Sequence, residues 1–222
     1  MKTSNSRSNH IRFLVVTGVL SAVAAVLMML SFSVPFMPSF IKLDFSELPA
    51  LIAAYSMGPI SGVIVCLIKN LINLPMTTTG GVGELSNFLL GVAFVVPAGL
   101  LYHRKKTRSM ALIAALVGAL TMALLGLPLN YFVTYPAYTK FLPLDVIIQA
   151  YQAIFPGVDG LLGSLLMFNV PFTFFKGLLN TALTFLIYKH ISPIIKGTWL
   201  DKRKKKQYNN VSADSDESND QK

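Results

Sequence analysis

The sequence predicts an all-α membrane protein, a bundle of six transmembrane helices with both termini in the cytoplasm. Three observations predict it. Hydrophobic residues make up 53% of the 222-residue chain and charged residues only 13%, with a mean hydropathy of +0.58, whereas a soluble domain carries about 25% charged residues. The apolar residues fall in runs close to the ~20 residues that a helix needs to cross a hydrocarbon core. The positive charge lies between those runs: of 19 Lys and Arg, three open the chain (Lys2, Arg7, Arg12), four sit in 103–108 and eight follow from Lys189. This composition excludes a disordered chain, and the single cysteine, Cys66, excludes a disulfide scaffold. A net charge of +9 grouped in this way orients a protein in a membrane and does not build a nucleic-acid surface.

The elements follow in order. Ile11–Ser31 is the first span. Further apolar runs follow it and no small-residue cleavage site precedes Pro35, so it reads as a retained helix and not as a signal peptide. Phe32–Glu47 carries Pro35, Pro38, Lys42, Asp44 and Glu47 and reads as a loop. Leu48–Met57 is apolar but too short to span unaided, and Gly58-Pro59 separates it from Ile60–Leu74, itself on the short side. Pro75–Gly83 is a Thr/Gly turn region. Glu84–Tyr102, Ser109–Tyr135 and Leu161–Ile191 supply three more spans, and Pro136–Gly160 is a loop with a short helix at Leu144–Phe155. After Gly197 the chain turns basic (Lys202–Lys206) and then acidic and Ser/Asn-rich, which buries no apolar surface and reads as disordered. The expected organisation is therefore a cytoplasmic N-terminus (1–10), a six-helix membrane domain with a ligand pocket (11–191) and a cytoplasmic tail (192–222) whose basic stretch meets anionic lipid headgroups. The positive-inside rule places the termini and the 103–108 turn in the cytoplasm. The 32–47, 75–83 and 136–160 loops then face outside, where Lys42 and Lys140 are the only basic residues.

In a membrane the informative residues are polar ones at depth, because a charge at mid-bilayer costs about 2.5–3.5 kcal/mol even on lenient scales. Lys176 lies near the middle of the last span. Asn169, Thr173, Lys176 and Asn180 follow one another at helical spacing and share one face, opposite Phe, Leu and Ile. A seam that glues helices together is the other reading of this face. Pro171 starts or kinks the helix and frees carbonyls nearby. Glu84, Asn87 and Gly91 share a face of the fourth run, where Glu84 also suits the helix N-terminus as a cap. Asn130 and Thr134 lie toward the outer end of the fifth, and Lys69, Asn70 and Asn73 toward the outer end of the third. Lys69 either joins these groups or snorkels to the surface. Phe32, Phe36, Phe40, Phe45, Tyr131 and Phe172 lie at similar depth. Apolar walls with a few convergent polar groups describe a small-molecule pocket, open outward under the 32–47 loop.

Catalysis finds no support. His10, His103 and His190 all fall at cytoplasmic ends, and there is no HExxH, GxSxG, Walker A lysine or paired acidic cluster. No metal or cofactor is expected, and a lipid or prenyl enzyme lacks its acidic cluster. Without an ATPase motif the chain does not drive transport alone, and no inverted repeat points to ordinary alternating access. The first helix offers small residues in pairs, Gly18/Ala22 and Ser21/Ala25, which either pack internally or admit a partner helix.

Several stretches together resemble a known family. Lys42-Leu43-Asp44-Phe45-Ser46-Glu47-Leu48-Pro49-Ala50 and Met57-Gly58-Pro59 are similar to the substrate-binding S components of energy-coupling factor (ECF) vitamin transporters. Lys69-Asn70-Leu71, Gly83-Glu84-Leu85-Ser86-Asn87-Phe88 and Phe175-Lys176-Gly177-Leu178-Leu179-Asn180 resemble the riboflavin-specific members, over about residues 11–191. The resemblance implies a six-helix S-component bundle in the cell membrane that captures riboflavin from outside. It also implies a transmembrane coupling protein and two cytoplasmic ATPases as partners, docked through the small-residue first helix, where Ser21 and Ala25 stand in place of the usual Ala pair. Carried onto this sequence, the binding groups are Leu43, Asp44, Phe45, Asn130, Thr173, Lys176 and Asn180, with Glu84 and Asn87 beside them. An S component for folate, thiamin or pantothenate is the neighbouring alternative, since the pocket alone distinguishes these.

Overall fold

Every long apolar run is helical in the computed structural model, which describes the backbone of residues 3–196 and the side chains of residues 10–187. Helix α1 (Thr3–Met29) leads to a two-rung antiparallel hairpin, β1 (Phe32–Ser33) and β2 (Lys42–Leu43), in which Phe32 pairs with Leu43 and Ser33 with Lys42. Helices α2 (Glu47–Met57) and α3 (Pro59–Asn73) follow. Between them Gly58 takes φ 108°, a conformation open to glycine, and Pro59 supplies a first helical residue that has no N–H to satisfy. After a 3₁₀ turn (Leu74–Met76) come α4 (Val82–Arg104) and α5 (Arg108–Leu129), the latter capped by the Thr107 hydroxyl, which accepts from the Met110 N–H at 3.2 Å. The rest is α6 (Tyr135–Tyr138), α7 (Leu144–Gln152), α8 (Gly160–Ser164) and α9 (Val170–Lys196). Residues Met1–Leu186 form one compact unit and Ile187–Lys222 a second. Of the second only the helix to Lys196 is described; the basic and acidic tail expected beyond it lies outside the described residues.

Among the described residues, five stretches are long and apolar enough to cross a membrane: His10–Met29, Pro59–Met76, Val82–Arg104, Arg108–Tyr138 and Gly160–Ile187. Helix α2 is not, at about 17 Å for its length. Its residues from Pro49 to Tyr55 are all buried, as expected of a helix that is apolar on every side. It packs against α1, α3 and α4, and α4 packs against α5. Small residues set these distances. A Cβ on Gly118 of α5 would stand 2.6 Å from the Phe94 carbonyl of α4, and one on Gly177 of α9 would stand 2.7 Å from the Ala119 Cβ of α5. At its start, α5 is also tied to α9 by the Arg108 guanidinium, 4.5 Å from the centre of the Phe185 ring.

Two π-helical turns interrupt the regular geometry, Asn130–Thr134 after α5 and Leu165–Asn169 before α9. Each ends two residues before a proline, Pro136 and Pro171. A proline ring collides with the carbonyl four residues back, which here falls inside the turn at Phe132 and Met167, and the wider turn relieves that collision. Sequence reading expected continuous spans here, with only a start or kink at Pro171. Both turns carry a buried asparagine, Asn130 and Asn169, into the interior.

Candidate functional site

At the end of the bundle where the hairpin, the 74–81 segment and α6 meet, four charged side chains are almost completely enclosed. Asp44, Glu47, Lys69 and Lys176 are 3%, 1%, 0% and 6% exposed. They come from the hairpin exit, the first residue of α2, the third helix and the last. The Lys176 ammonium lies 2.9 Å from Asp44 Oδ2 and 3.3 Å from Glu47 Oε2, and Lys69 lies 3.0 Å from Glu47 Oε1. Ser46 closes the circuit: its hydroxyl donates to Asp44 Oδ1 and accepts from Lys69, while its backbone N–H donates to the same Oδ1 at 2.9 Å. Two carboxylates and two ammonium groups balance, which is the condition for keeping ions out of water. Burial alone would raise the Asp44 carboxyl, but the Lys176 and Lys69 ammonium groups and the bonds from Ser46 and Lys176 hold it well below the usual carboxylate range.

The cavity above this ring has a volume of about 110 Å³. Lys176 and Thr173 of α9, Asn169 before it, Asn130 and Thr134 from the other π turn, and Ser86 and Asn87 of α4 supply its polar lining. Leu90, Met122 and Phe172 supply apolar walls, and Phe40, Ile41 and Lys42 close it from the hairpin side. The polar groups are held by one another. Ser86 Oγ donates to Asn130 Oδ1 at 3.3 Å, Asn87 Nδ2 to Asp44 Oδ2 at 3.4 Å, and Asn70 Nδ2 to Asn87 Oδ1 at 3.4 Å. On the far wall Tyr151 donates to Asn169 Oδ1 at 2.6 Å, Asn169 Nδ2 donates to the Tyr135 hydroxyl at 3.1 Å, and the two tyrosine hydroxyls share a hydrogen bond. That triangle fixes α6 and the second π turn to α7.

The face expected on the last span is present as such: Asn169, Thr173, Lys176 and Asn180 are 8%, 4%, 6% and 0% exposed, while Phe174 and Phe175 point away at 37% and 52%. Asn180 sits one turn below the ring, donates to the Lys176 carbonyl at 3.0 Å, and is not part of the lining of this cavity. Glu84 accepts from the Thr77 hydroxyl at 2.8 Å and lines a second cavity of about 240 Å³, with Asp44, Asn73, Thr78, Thr79 and Asn87. Leu43 is buried in β2, and the Phe45 ring lies 6.4 Å from that of Phe32, outside both cavities. Lys69 does not snorkel. It is buried because Glu47 and Ser46 give it partners at depth, and Glu47 is the member of the ring that sequence reading passed over. The signal was available, since two lysines at depth require two carboxylates, and Asp44 and Glu47 stand three residues apart just before an apolar run. On α1, Gly18 and Ala22 are exposed, whereas Ser21 and Ala25 are buried. Ser21 donates to the Thr17 carbonyl at 2.8 Å, and the Ala25 carbonyl accepts from Asn73 of α3 at 3.2 Å. No group of three or more His, Cys, Asp and Glu that would hold a metal occurs among the described residues.

Comparison with known proteins agrees with this architecture. The family described as the substrate-specific component of ECF transporters matches residues 12–188. The chain is 32% identical to the riboflavin transporter RibU of Staphylococcus aureus (strain TCH60), over 82% of this chain and 92% of that protein. It is likewise 32% identical to the riboflavin transporter FmnP of Bacillus subtilis (strain 168), over 84% of this chain and 95% of that one. A solved structure described as the S component of a bacterial ECF transporter superposes with a TM-score of 0.67 at 29% identity, covering 84% of this chain and 99% of the other.

Proposed function

The chain belongs to the substrate-specific component family of ECF transporters, and from that membership together with the cavity we propose that it captures riboflavin from outside the cell. As a transporter component it is a membrane protein and not an enzyme. In this reading the bundle spans the membrane six times, with α2 as the short span, both termini in the cytoplasm and the hairpin outside. The ATP-hydrolysing module, a transmembrane coupling protein with two cytoplasmic ATPases, docks on the α1 face that carries Gly18 and Ala22, with Ser21 and Ala25 packing behind it.

The observation that carries the assignment is the Lys176 ammonium. Its Nζ donates to Asp44 Oδ2 at 2.9 Å and stands 3.3 Å from Glu47 Oε2 as an ion pair, and an ammonium has three N–H groups to share between these carboxylates and a ligand in the cavity it lines. A flavin suits this arrangement. The pyrimidine edge of isoalloxazine alternates donors and acceptors, which Lys176, Asn130 and Thr173 match. Leu90, Met122 and Phe172 offer the flat ring an apolar slot. The ribityl hydroxyls meet the amide, hydroxyl and carboxylate groups of the adjoining cavity, Asn87 and Glu84 among them. Leu43 and Phe45 shape the loop that covers the ligand, and Asn180 supports the Lys176 backbone from beneath.

The test is a visible absorption spectrum of the purified, detergent-solubilised protein, followed by a riboflavin fluorescence titration. A yellow preparation or stoichiometric quenching is the expected result, and Asn130→Ala should weaken binding about tenfold, one hydrogen bond's worth. A colourless protein that ignores riboflavin but binds folate, thiamin or pantothenate would overturn the assignment.

A further inference from the structure

The far wall of the polar cavity is built on three buried side chains from three segments: Tyr135 at the start of α6, Tyr151 of α7 and Asn169 at the end of the second π turn. Tyr135 and Asn169 line the cavity, whereas Tyr151 is not part of its lining. The Tyr151 ring is held by Phe40, edge-on at 6.0 Å, and by Phe168, tilted at 5.4 Å, and Ile147 and Leu165 belong to the same buried cluster. Its hydroxyl is therefore aimed at one place. An amide oxygen only accepts, so Tyr151 spends its single hydroxyl proton on Asn169 Oδ1, 2.6 Å away. The bond between the two phenols then takes its proton from Tyr135, and Tyr135 in turn accepts from Asn169 Nδ2 at 3.1 Å. The outcome is the same with the amide turned over, when Tyr135 donates to Asn169 and Tyr151 to Tyr135. In both directions the Tyr135 proton is consumed inside the triangle. Tyr135 is left with a lone pair and no proton to give, beside the second N–H of Asn169.

We propose that Tyr151 is a positioning residue that sets the hydrogen-bond polarity of this wall: by taking up the Tyr135 proton it makes Tyr135 acceptor-only, so that the wall selects a ligand edge carrying an N–H next to a carbonyl. The proposal rests on the riboflavin reading of the cavity, and in that ligand chemistry identifies the edge. Oxidised isoalloxazine has one ring N–H, at N3, flanked by the C2 and C4 carbonyls. N3–H meets the Tyr135 lone pair, and a flanking carbonyl meets the free N–H of Asn169. Lys176, Asn130 and Thr173, which line the same cavity, take the rest of that edge. A ligand without a proton at N3 leaves the Tyr135 oxygen unpaired in a buried site, the kind of mismatch by which a polar site rejects a near-identical molecule. Tyr151 denies the Tyr135 hydroxyl the rotation by which it would find another partner.

The test compares riboflavin with 3-methylriboflavin, which keeps both carbonyls and lacks the N3 proton, by fluorescence titration of the detergent-solubilised protein. The added methyl group is common to all variants, so the change in the ratio of the two affinities isolates the hydrogen bond. The unmodified protein should prefer riboflavin. Tyr151→Phe frees the Tyr135 proton for a flavin carbonyl and should shrink that preference about tenfold, one hydrogen bond's worth. Tyr135→Phe removes the lone pair itself and should shrink it likewise. Tyr138→Phe takes a phenol from the lining of the same cavity but outside the triangle, and should leave the ratio as it was, which a role in packing alone would not predict. A ratio unchanged by Tyr151→Phe, or shifted equally by Tyr138→Phe, overturns the role of Tyr151 and leaves the riboflavin reading standing. A ratio unchanged by Tyr135→Phe overturns the proposal even where Tyr151→Phe fails to fold. Unmodified protein that quenches neither flavin overturns the riboflavin reading and this proposal with it.

Discussion

Lys69→Met tests whether the charge ring is a single balanced unit. Methionine keeps much of the side-chain volume and removes the ammonium that lies 3.0 Å from Glu47 Oε1 and bonds Ser46. Glu47, 1% exposed, is left with Lys176, whose Nζ stands 3.3 Å from Oε2 and already serves Asp44. Two carboxylates, 3% and 1% exposed, then face one ammonium. Breaking a buried pair from one side costs about 3–5 kcal/mol, whereas replacing both partners by neutral groups of similar size is close to neutral. At about 2–4 °C per kcal/mol for a chain of this size, Lys69→Met should lower the unfolding temperature by roughly 6–20 °C. Lys69→Met with Glu47→Gln should recover most of it. The assay is thermal unfolding of the detergent-solubilised protein, followed by a thiol-reactive dye that reports Cys66 as it becomes exposed. Riboflavin affinity should follow the same order, falling about tenfold in the single variant as Lys176 is drawn toward Glu47 and recovering in the double, since one bond to a charged group is worth about 1.5–3 kcal/mol. A single variant that unfolds no earlier than the double variant would refute the balanced ring.

Tyr151→Phe removes the hydroxyl that links Tyr135 to Asn169 while keeping the ring. It should cost about 1–3 kcal/mol, because the two buried partners lose a bond; an unchanged unfolding temperature would show that the triangle does not hold the far wall. The depressed Asp44 carboxyl makes a statement about pH. Its folded value lies below the unfolded value of about 3.9, so its contribution to stability is complete above that pH and is lost as pH falls from there through the folded value. Unfolding temperature at pH 5 should therefore match that at pH 7 as far as Asp44 is concerned, and decline only below about pH 4. A decline linked to Asp44 already present at pH 6 would contradict this.

Much of this protein was legible from its sequence. Runs of apolar residues at bilayer length, broken by Gly58-Pro59 and by the basic 103–108 turn, determine where the helices lie, because in hydrocarbon each backbone N–H and C=O must be satisfied within its own segment. The face Asn169–Thr173–Lys176–Asn180 was legible for the same reason, since helical periodicity is local. The tertiary structure alone decided which charges meet. Lys176 and Asp44 are 132 residues apart in sequence, and nothing in the spacing of either selects the other. The fate of Lys69 was also undetermined, since snorkelling and ion pairing leave the same pattern along the chain. Nor does sequence show that Tyr135, Tyr151 and Asn169, on three separate segments, close one hydrogen-bonded triangle. Periodicity reads the geometry of one segment at a time, whereas a charge ring and a shared wall are relations between segments, set when the helices pack.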